Sequence, residues 1–392
     1  MMARSSTDID GLPQELRLLL RMLSTENGGE PLSAEAAPYE DIDWGRFQRL
    51  AMHHRVYPSL YAILKKAALP WVPQPLIQDL SREYKKNTFR MLRLTGEMER
   101  ICALLADQGV RSIVLKGPPL ARELYGDVSL RTSKDLDIMI PIDDVDKTDR
   151  LLTQLGYKCV DFVPNILNGW RWRQHHAGYD HPDLPINLEI HWRLSPGPSR
   201  EPGFEELWER RRISEMTPTP IHYLGAEDSF LYLVTHGARH GWFRVRWLGD
   251  IDILACRHAD EWAKIEALMD RYQARDMVGQ SLYLISALWS TPLTPDMRRY
   301  SSGTKAQTLG RQALYFIREM VENPPPELER KHKQYLFSLK SFRQKILYAL
   351  SFLYPYPKDV ETLPLPKPVH FLYFPLRPFL WMWRKARKHA WT

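Results

Sequence analysis

With 392 residues the chain exceeds one typical hydrophobic core, and its 44% hydrophobic content excludes a disordered polymer. Lys and Arg number 54 against 47 Asp and Glu, a net charge of +7 that is too small for this length to mark a nucleic-acid binder by itself. Three cysteines (Cys102, Cys159 and Cys256) without Cys-x-x-Cys spacing exclude a disulfide scaffold and fit a reducing cytoplasm.

The start, Met1 to Gly11, is polar and reads as disordered, without the apolar core of a signal peptide. No run has the length of a clean transmembrane helix. Leu12 to Ser24 reads as a helix, followed by a Gly/Pro/Ala-rich loop from Asn27 to Ala37. Asp43 caps a helix expected to run to about Ala67, and the periodic stretch Pro75 to Gln108 predicts another. These elements form an N-terminal helical region, 1–105.

Chemistry concentrates in the next segment, 106–215. Arg111 to Gly117 is a short apolar strand ending in Lys116-Gly117, and Pro118-Pro119 opens a helix from Leu120 to Tyr125. A strand, a glycine and a helix start bring backbone donors and a helix dipole up to a phosphate, with Lys116 as a point charge. Next comes Lys134-Asp135-Leu136-Asp137-Ile138-Met139-Ile140, an extended run. Alternation puts Asp135 and Asp137 on one face and Leu136, Ile138 and Ile140 on the other. Two adjacent carboxylates repel each other and are costly to desolvate, and a divalent cation offsets that cost. Repulsion of this kind predicts that removing one charge leaves the metal-free protein equally or more stable. Asp143 to Leu155 reads as an amphipathic helix, and Tyr157 to Val160 and Trp170 to Tyr179 as strands. Ile186 to Trp192 alternates again, with Asn187, Glu189 and His191 on one face, and so adds a third carboxylate on a second strand.

This order of motifs resembles the nucleotidyltransferase superfamily of polymerase-beta type. Leu115-Lys116-Gly117, Leu124-Tyr125, Arg131, Asp135-Leu136-Asp137 and Glu189-Ile190-His191-Trp192 look like a bacterial branch of it. The resemblance covers roughly 110–195 and extends more weakly to His236 and Trp247-Leu248-Gly249-Asp250. It implies that Asp135, Asp137 and Glu189 hold two Mg2+ ions and that Glu189 helps take the acceptor proton. It further implies that an NTP is bound through Lys116, Gly117, Arg131, Ser133 and Lys134, with His191 and Asn187 behind the ligands. One departure is Pro118, where the superfamily carries Ser or Gly against the phosphates; proline offers neither a hydroxyl nor an N–H.

Helices dominate again over 216–360. His236 and His240 are four apart, but Gly237-Ala238 replaces the Glu that zinc hydrolases place after the first His, so a zinc site is not expected. Asp250 and Asp252 read as the charged start of a helix. The tail, 361–392, joins five prolines, which break any long helix, to aromatics and the basic cluster Arg384, Lys385, Arg387 and Lys388. It suits either peripheral contact with an anionic membrane or packing on the helical domain, the second being favoured for a cytoplasmic enzyme.

The expected class is α+β: a small mixed β-sheet nucleotidyltransferase core flanked by helical regions. The expected activity is transfer of a nucleoside monophosphate from an NTP to a small molecule, peptide or protein, with nucleic acid not favoured. Two alternatives share the Asp-x-Asp motif, a metal-dependent glycosyltransferase and an inactive nucleotide-binding scaffold.

Overall fold

The computed structural model describes residues 11–24, 32, 41–160, 166–319 and 326–389. Met1 to Asp10 and nearly all of the Asn27 to Ala37 stretch lie outside them. Four helices open the chain: α1 (Gln14–Ser24), α2 (Trp44–His53), α3 (Tyr57–Ala67) and α4 (Gln74–Asp107). The helix expected from Asp43 to Ala67 is thus two. Asp43 does cap α2, accepting a hydrogen bond from the Arg46 N–H, but Arg55 has a φ of 56° and Pro58 restarts the chain in the first turn of α3.

The centre comprises β1 (Ile113–Val114), α5 (Pro118–Tyr125), β2 (Asp135–Met139), α6 (Val145–Gln154), β3 (Lys158–Cys159), α7 (Trp170–Arg173), β4 (His176–Asp180), β5 (Asn187–His191), α8 (Phe204–Glu209), β6 (Arg212–Ser214) and β7 (Ile221–Tyr223). The strands form one mixed sheet in the order β3-β4-β5-β2-β1-β7-β6. β2 pairs in parallel with β5 and antiparallel with β1, and β7 closes on the far side of β1. The strand expected from Trp170 is a short helix followed by β4. The sheet also passes residue 215, because β7 carries Ile221 into its core.

Two cores hold the molecule. Met91, Leu94, Met98, Ile101 and Leu105 form the apolar stripe of the second half of α4, at helical spacing. They pack on Leu136, Ile138, Leu188 and Ile190 from one face of the sheet. Each such side chain contributes about 1.5–3 kcal/mol by burial, enough to fix the strand register. The opposite face of the sheet carries Ile113 and Met139 into the helical core and, beside them, the polar groups of β2, β4 and β5.

The second core joins α1–α3 to α9 (Ala226–Arg239), α10 (Val245–Arg257), α11 (Trp262–Arg271), α12 (Arg275–Trp289) and α13 (Pro295–Ser301), with α14 (Thr304–Glu319) packed on α12. The last helices are α15 (Pro326–Ser338), α16 (Phe342–Ser351), α17 (Pro357–Thr362) and α18 (Tyr373–His389). α18 forms despite the prolines. Pro375 lies in its first turn, and Pro378 forfeits a backbone bond only near the start, where the helix is least dependent on it. Tyr373 and Leu380 are buried in a small local core, whereas Phe379, Trp381 and Trp383 face outward.

Candidate active site

The parallel register sets Asp135 beside Asn187, Asp137 beside Glu189, and Met139 beside His191. Asp135, Asp137, Glu189 and His191 therefore share the face turned away from the α4 core. One carboxylate oxygen from each of Asp135, Asp137 and Glu189 lies within 4.8 Å of the other two. β4 contributes His176 opposite His191, and His176, Glu189 and His191 form a second group of potential ligands that shares Glu189.

Two basic side chains face these acids. Lys116 Nζ lies 3.2 Å from Asp137 Oδ1 and 3.6 Å from Asp135 Oδ2. Burial alone lowers the proton affinity of Lys116, but Asp135 and Asp137, with Tyr232 and Glu189, outweigh it and raise the value above that of an ordinary lysine. His191 Nε2 lies 3.2 Å from Asp137 Oδ1 and 3.3 Å from Glu189 Oε2, while its Nδ1 faces the Arg193 carbonyl at 3.3 Å. Both ring nitrogens thus face oxygens, which suits an imidazolium donating twice. Burial opposes that charge, and Asp137 and Glu189 overcome it, so the His191 pKa is raised. Burial likewise opposes the charge on Glu189, but the His191 hydrogen bond and charge draw it down to about 2.

The donor set fits a hard divalent cation. It consists of carboxylate oxygens, and Asp137 Oδ2 is buried without a hydrogen-bond partner among the described residues.

Gly117 has a φ of 94°, a backbone conformation that other residues avoid, and open space where a side chain would stand. It starts α5 beside Lys116. Pro118 and Pro119 supply no N–H, so this helix start offers fewer donors than a phosphate-binding turn normally does.

Arg131 is held in a buried ion pair. It is 1% exposed, and its Nε and Nη2 donate to Asp250 at 2.9–3.2 Å. Tyr125 Oη also donates to Asp250 Oδ1, at 2.9 Å, and Arg246 donates to the Thr132 carbonyl. Asp250 is therefore no helix start: α10 begins at Val245, and Asp250 is a buried anchor within it. The motif elements Tyr125, Arg131 and Asp250 form one clamp behind the loop that enters β2. Ser133 is buried and donates to the Asp135 carbonyl, Lys134 is exposed, and Asn187 donates to Asp180 Oδ1. His236 and His240 lie against each other and Trp247 in tilted and edge-to-face contacts, with ring centroids 4.7–5.4 Å apart. Burial lowers both pKa values.

Three further residues stand around the site: His176, Tyr232 and Arg239. Tyr232 and Arg239 lie on α9 and line a cavity of about 260 Å³ together with Leu194, Leu231, Met277 and Leu336. The loop leaving β5 forms one wall. Burial lowers the proton affinity of Arg239, an effect opposed by the charges of Glu189 and Asp137 among others. Its Nη1 is enclosed without a hydrogen-bond partner among the described residues. The charges of Asp137 and Glu189 act on both Tyr232 and Arg239, which links this cavity to the carboxylate trio electrostatically. Helical spacing relates two of the three, since Tyr232 and Arg239 lie seven apart on one face of α9.

A family model described as "uncharacterised nucleotidyltransferase" matches residues 40–290, more than half of the chain. The match begins in the N-terminal helices and ends in α12, so it includes the sheet, the carboxylates and the Asp250 anchor. No curated protein matches the chain.

Proposed function

The chain belongs to the uncharacterised nucleotidyltransferase family, and we propose that it moves a nucleoside monophosphate from an NTP to a hydroxyl or phosphate acceptor. The observation that carries this reading is the carboxylate trio Asp135, Asp137 and Glu189, set by register on one sheet face around a buried oxygen without a hydrogen bond. In the reaction an acceptor oxygen forms a bond to the α-phosphorus. The bond from that phosphorus to the bridging oxygen breaks, pyrophosphate leaves, and the acceptor proton passes to solvent.

Asp135, Asp137 and Glu189 are the residues that would hold Mg2+, in the superfamily pattern two ions. Bound there, the metal supplies charge neutralisation on the triphosphate and acidifies the acceptor hydroxyl. Lys116 exchanges its carboxylate partners for phosphate oxygens when the nucleotide arrives, and the bare backbone at Gly117 admits the phosphate closely. Glu189, drawn down to about 2, acts in this reading as a ligand rather than as a base. His191 keeps Asp137 and Glu189 oriented through its two contacts. The Arg131–Asp250 clamp holds the loop before β2 and does not meet phosphate. The acceptor enters through the cavity beside Tyr232 and Arg239, whose apolar walls exclude water from the attacking oxygen.

The test is pyrophosphate release by the purified chain with each NTP and Mg2+, against hydrolysis of UDP-sugars under the same conditions. Turnover of an NTP, lost on chelation, supports the reading. Turnover of UDP-sugar alone makes it a glycosyltransferase, and Mg2+-dependent NTP binding with no turnover makes it a scaffold.

A further inference from the structure

Positive charge is divided unevenly along this chain. Nine of the 54 Lys and Arg residues and two of the 47 acids fall in 341–392, so this short end carries the whole net +7, and residues 1–340 balance to zero. One of those two acids, Asp359, is buried and already paired with Arg377 and Arg384.

Exposed apolar side chains gather in the same segment. Of the 20 large hydrophobic residues that are exposed among those described, 14 lie beyond residue 341. On α16, Phe342, Ile346, Leu347 and Leu350 recur at helical spacing and form one outward stripe, with Phe342 78% exposed. On α18, Phe379, Met382 and Trp383 do the same, with Phe379 65% exposed. Basic residues stand beside both stripes: Arg343 and Lys345 on α16, and Lys385 on α18, whose Nζ sits 5.2 Å from the Trp381 ring. A monomer in water gains nothing from such faces. No helix among the described residues is long and apolar enough to cross a membrane.

We propose that the α16–α18 segment docks this protein onto the surface of an anionic lipid bilayer, with its aromatic and aliphatic stripes in the interface and its basic residues among the headgroups. Charge decides the occupant. An apolar partner protein needs no net +7 confined to the docking segment, and nucleic acid offers no hydrocarbon for Phe342, Phe379 or Trp383. Trp and Phe with Lys and Arg are the pairing that an anionic interface selects. Tyr373 and Leu380 meanwhile fasten α18 to its own small core, so the segment presents the stripes on a folded platform rather than on a loose end.

The experiment uses the full chain with vesicles of phosphatidylcholine, with and without phosphatidylglycerol. Expected are sedimentation with the anionic vesicles only, release by high salt, and quenching of tryptophan fluorescence by brominated acyl chains. Each basic residue near such a surface is worth about fivefold in partition at low salt. Arg343→Glu with Lys345→Glu therefore lowers partition by more than about tenfold, and Phe379→Gln with Trp383→Gln abolishes the quenching. Arg343, Phe379 and Trp383 are exposed and Lys345 is partly so, over the Phe337 ring, and the melting temperatures of both variants are expected to stay close to the wild-type value. The proposal is overturned by equal partition into neutral vesicles, or by no partition at all. It is overturned equally by a dimer that Phe379→Gln with Trp383→Gln dissociates while vesicles stay unbound, or by single-stranded DNA displacing the protein from vesicles at low salt.

Discussion

The ammonium of Lys116 lies 3.2 Å from Asp137 Oδ1, on a carboxylate whose other oxygen is buried without a hydrogen-bond partner among the described residues. In the proposed function the lysine occupies the electrostatic place that a metal ion would claim. Its position just before Gly117 also puts it where a triphosphate would be met. One side chain thus has two possible employments, and in the proposed reaction the arrival of metal and nucleotide decides between them.

Lys116→Met is expected to act in two opposed ways. Without metal it leaves Asp137 short of one partner in a buried setting, a loss of about 1–3 kcal/mol in thermal or denaturant unfolding. With Mg2+ the competitor is gone, so the ion raises the melting temperature of the variant more than that of the wild type. The Km for NTP rises as well. A variant whose NTP affinity is unchanged would make Lys116 purely structural.

The two aspartates should separate under mutation. Repulsion alone predicts that losing either charge is harmless or stabilising in the metal-free protein. Asp137, however, meets both Lys116 and His191, whereas Asp135 is partly exposed and, among the described residues, pairs with Lys116 alone, at 3.6 Å. Asp137→Asn is therefore expected to lower stability by about 1–3 kcal/mol, and Asp135→Asn to leave it within about 0.5 kcal/mol. Both abolish pyrophosphate release. Paired melting curves and turnover assays decide the matter, and full activity in both variants removes the site assignment.

Arg131→Ala should cost stability and spare nucleotide affinity. Removing one member of a buried, doubly bonded ion pair costs about 3–5 kcal/mol. Asp250→Asn is expected to cost a similar amount, and the double variant less than the two combined. Unfolding of the three variants, with the Km for NTP of whichever stay folded, tests this. A large rise in Km with little loss of stability would return Arg131 to the phosphates.

Acid should weaken the fold through buried histidines. Burial first, then the charge of His53, lowers His54 from 6.5 to about 3, and its Nδ1 accepts from the Val245 N–H. Between those two values the unfolded chain binds a proton that the folded one refuses, so stability is full above about pH 6.5 and falls as pH drops toward 3. His240, also lowered to about 3 by burial and by Arg239, adds to the same limb. His54→Gln keeps an acceptor and removes the titration. Its stability should fall less steeply over that window, by an amount on the order of a few kcal/mol when fully expressed. An unchanged slope would show that His54 is not the group responsible.

Much of the candidate site was legible from alternation. Asp135, Asp137, Asn187, Glu189 and His191 share a face because side chains in extended chain repeat every second residue, and Leu136, Ile138, Leu188 and Ile190 declare the other. What escaped was long-range. Asp250 meets Arg131 across 119 residues, and nothing local separates a buried anchor from a charged helix start. Its one clue was its place between Trp247, Ile251 and Leu254 on an apolar stripe of α10. β6 and β7 are three residues each, too short for any period to register. The α2–α3 break rests on one residue of positive φ, which the residue type Arg55 does not advertise. In the tail, prolines counted as breakers proved compatible with α18 because they cluster in its first turns.

The side-by-side placement of Asp137 and Glu189 has a consequence for how this chain can change length. The connection between the two strands, from residue 140 to 186, carries β3 and β4, and β4 is the other neighbour of β5. Its exposed turns can lengthen or shorten without disturbing a carboxylate as long as β4 keeps its register on β5. The few residues of β5 have no such freedom. One residue inserted between Asn187 and Glu189 would turn the glutamate toward Leu94 and Met98 and bring a leucine out among the charges, while leaving the composition of the strand almost as it was. Indels are thus a sharper probe of this site than many substitutions, with a boundary that falls at the first residue of β5.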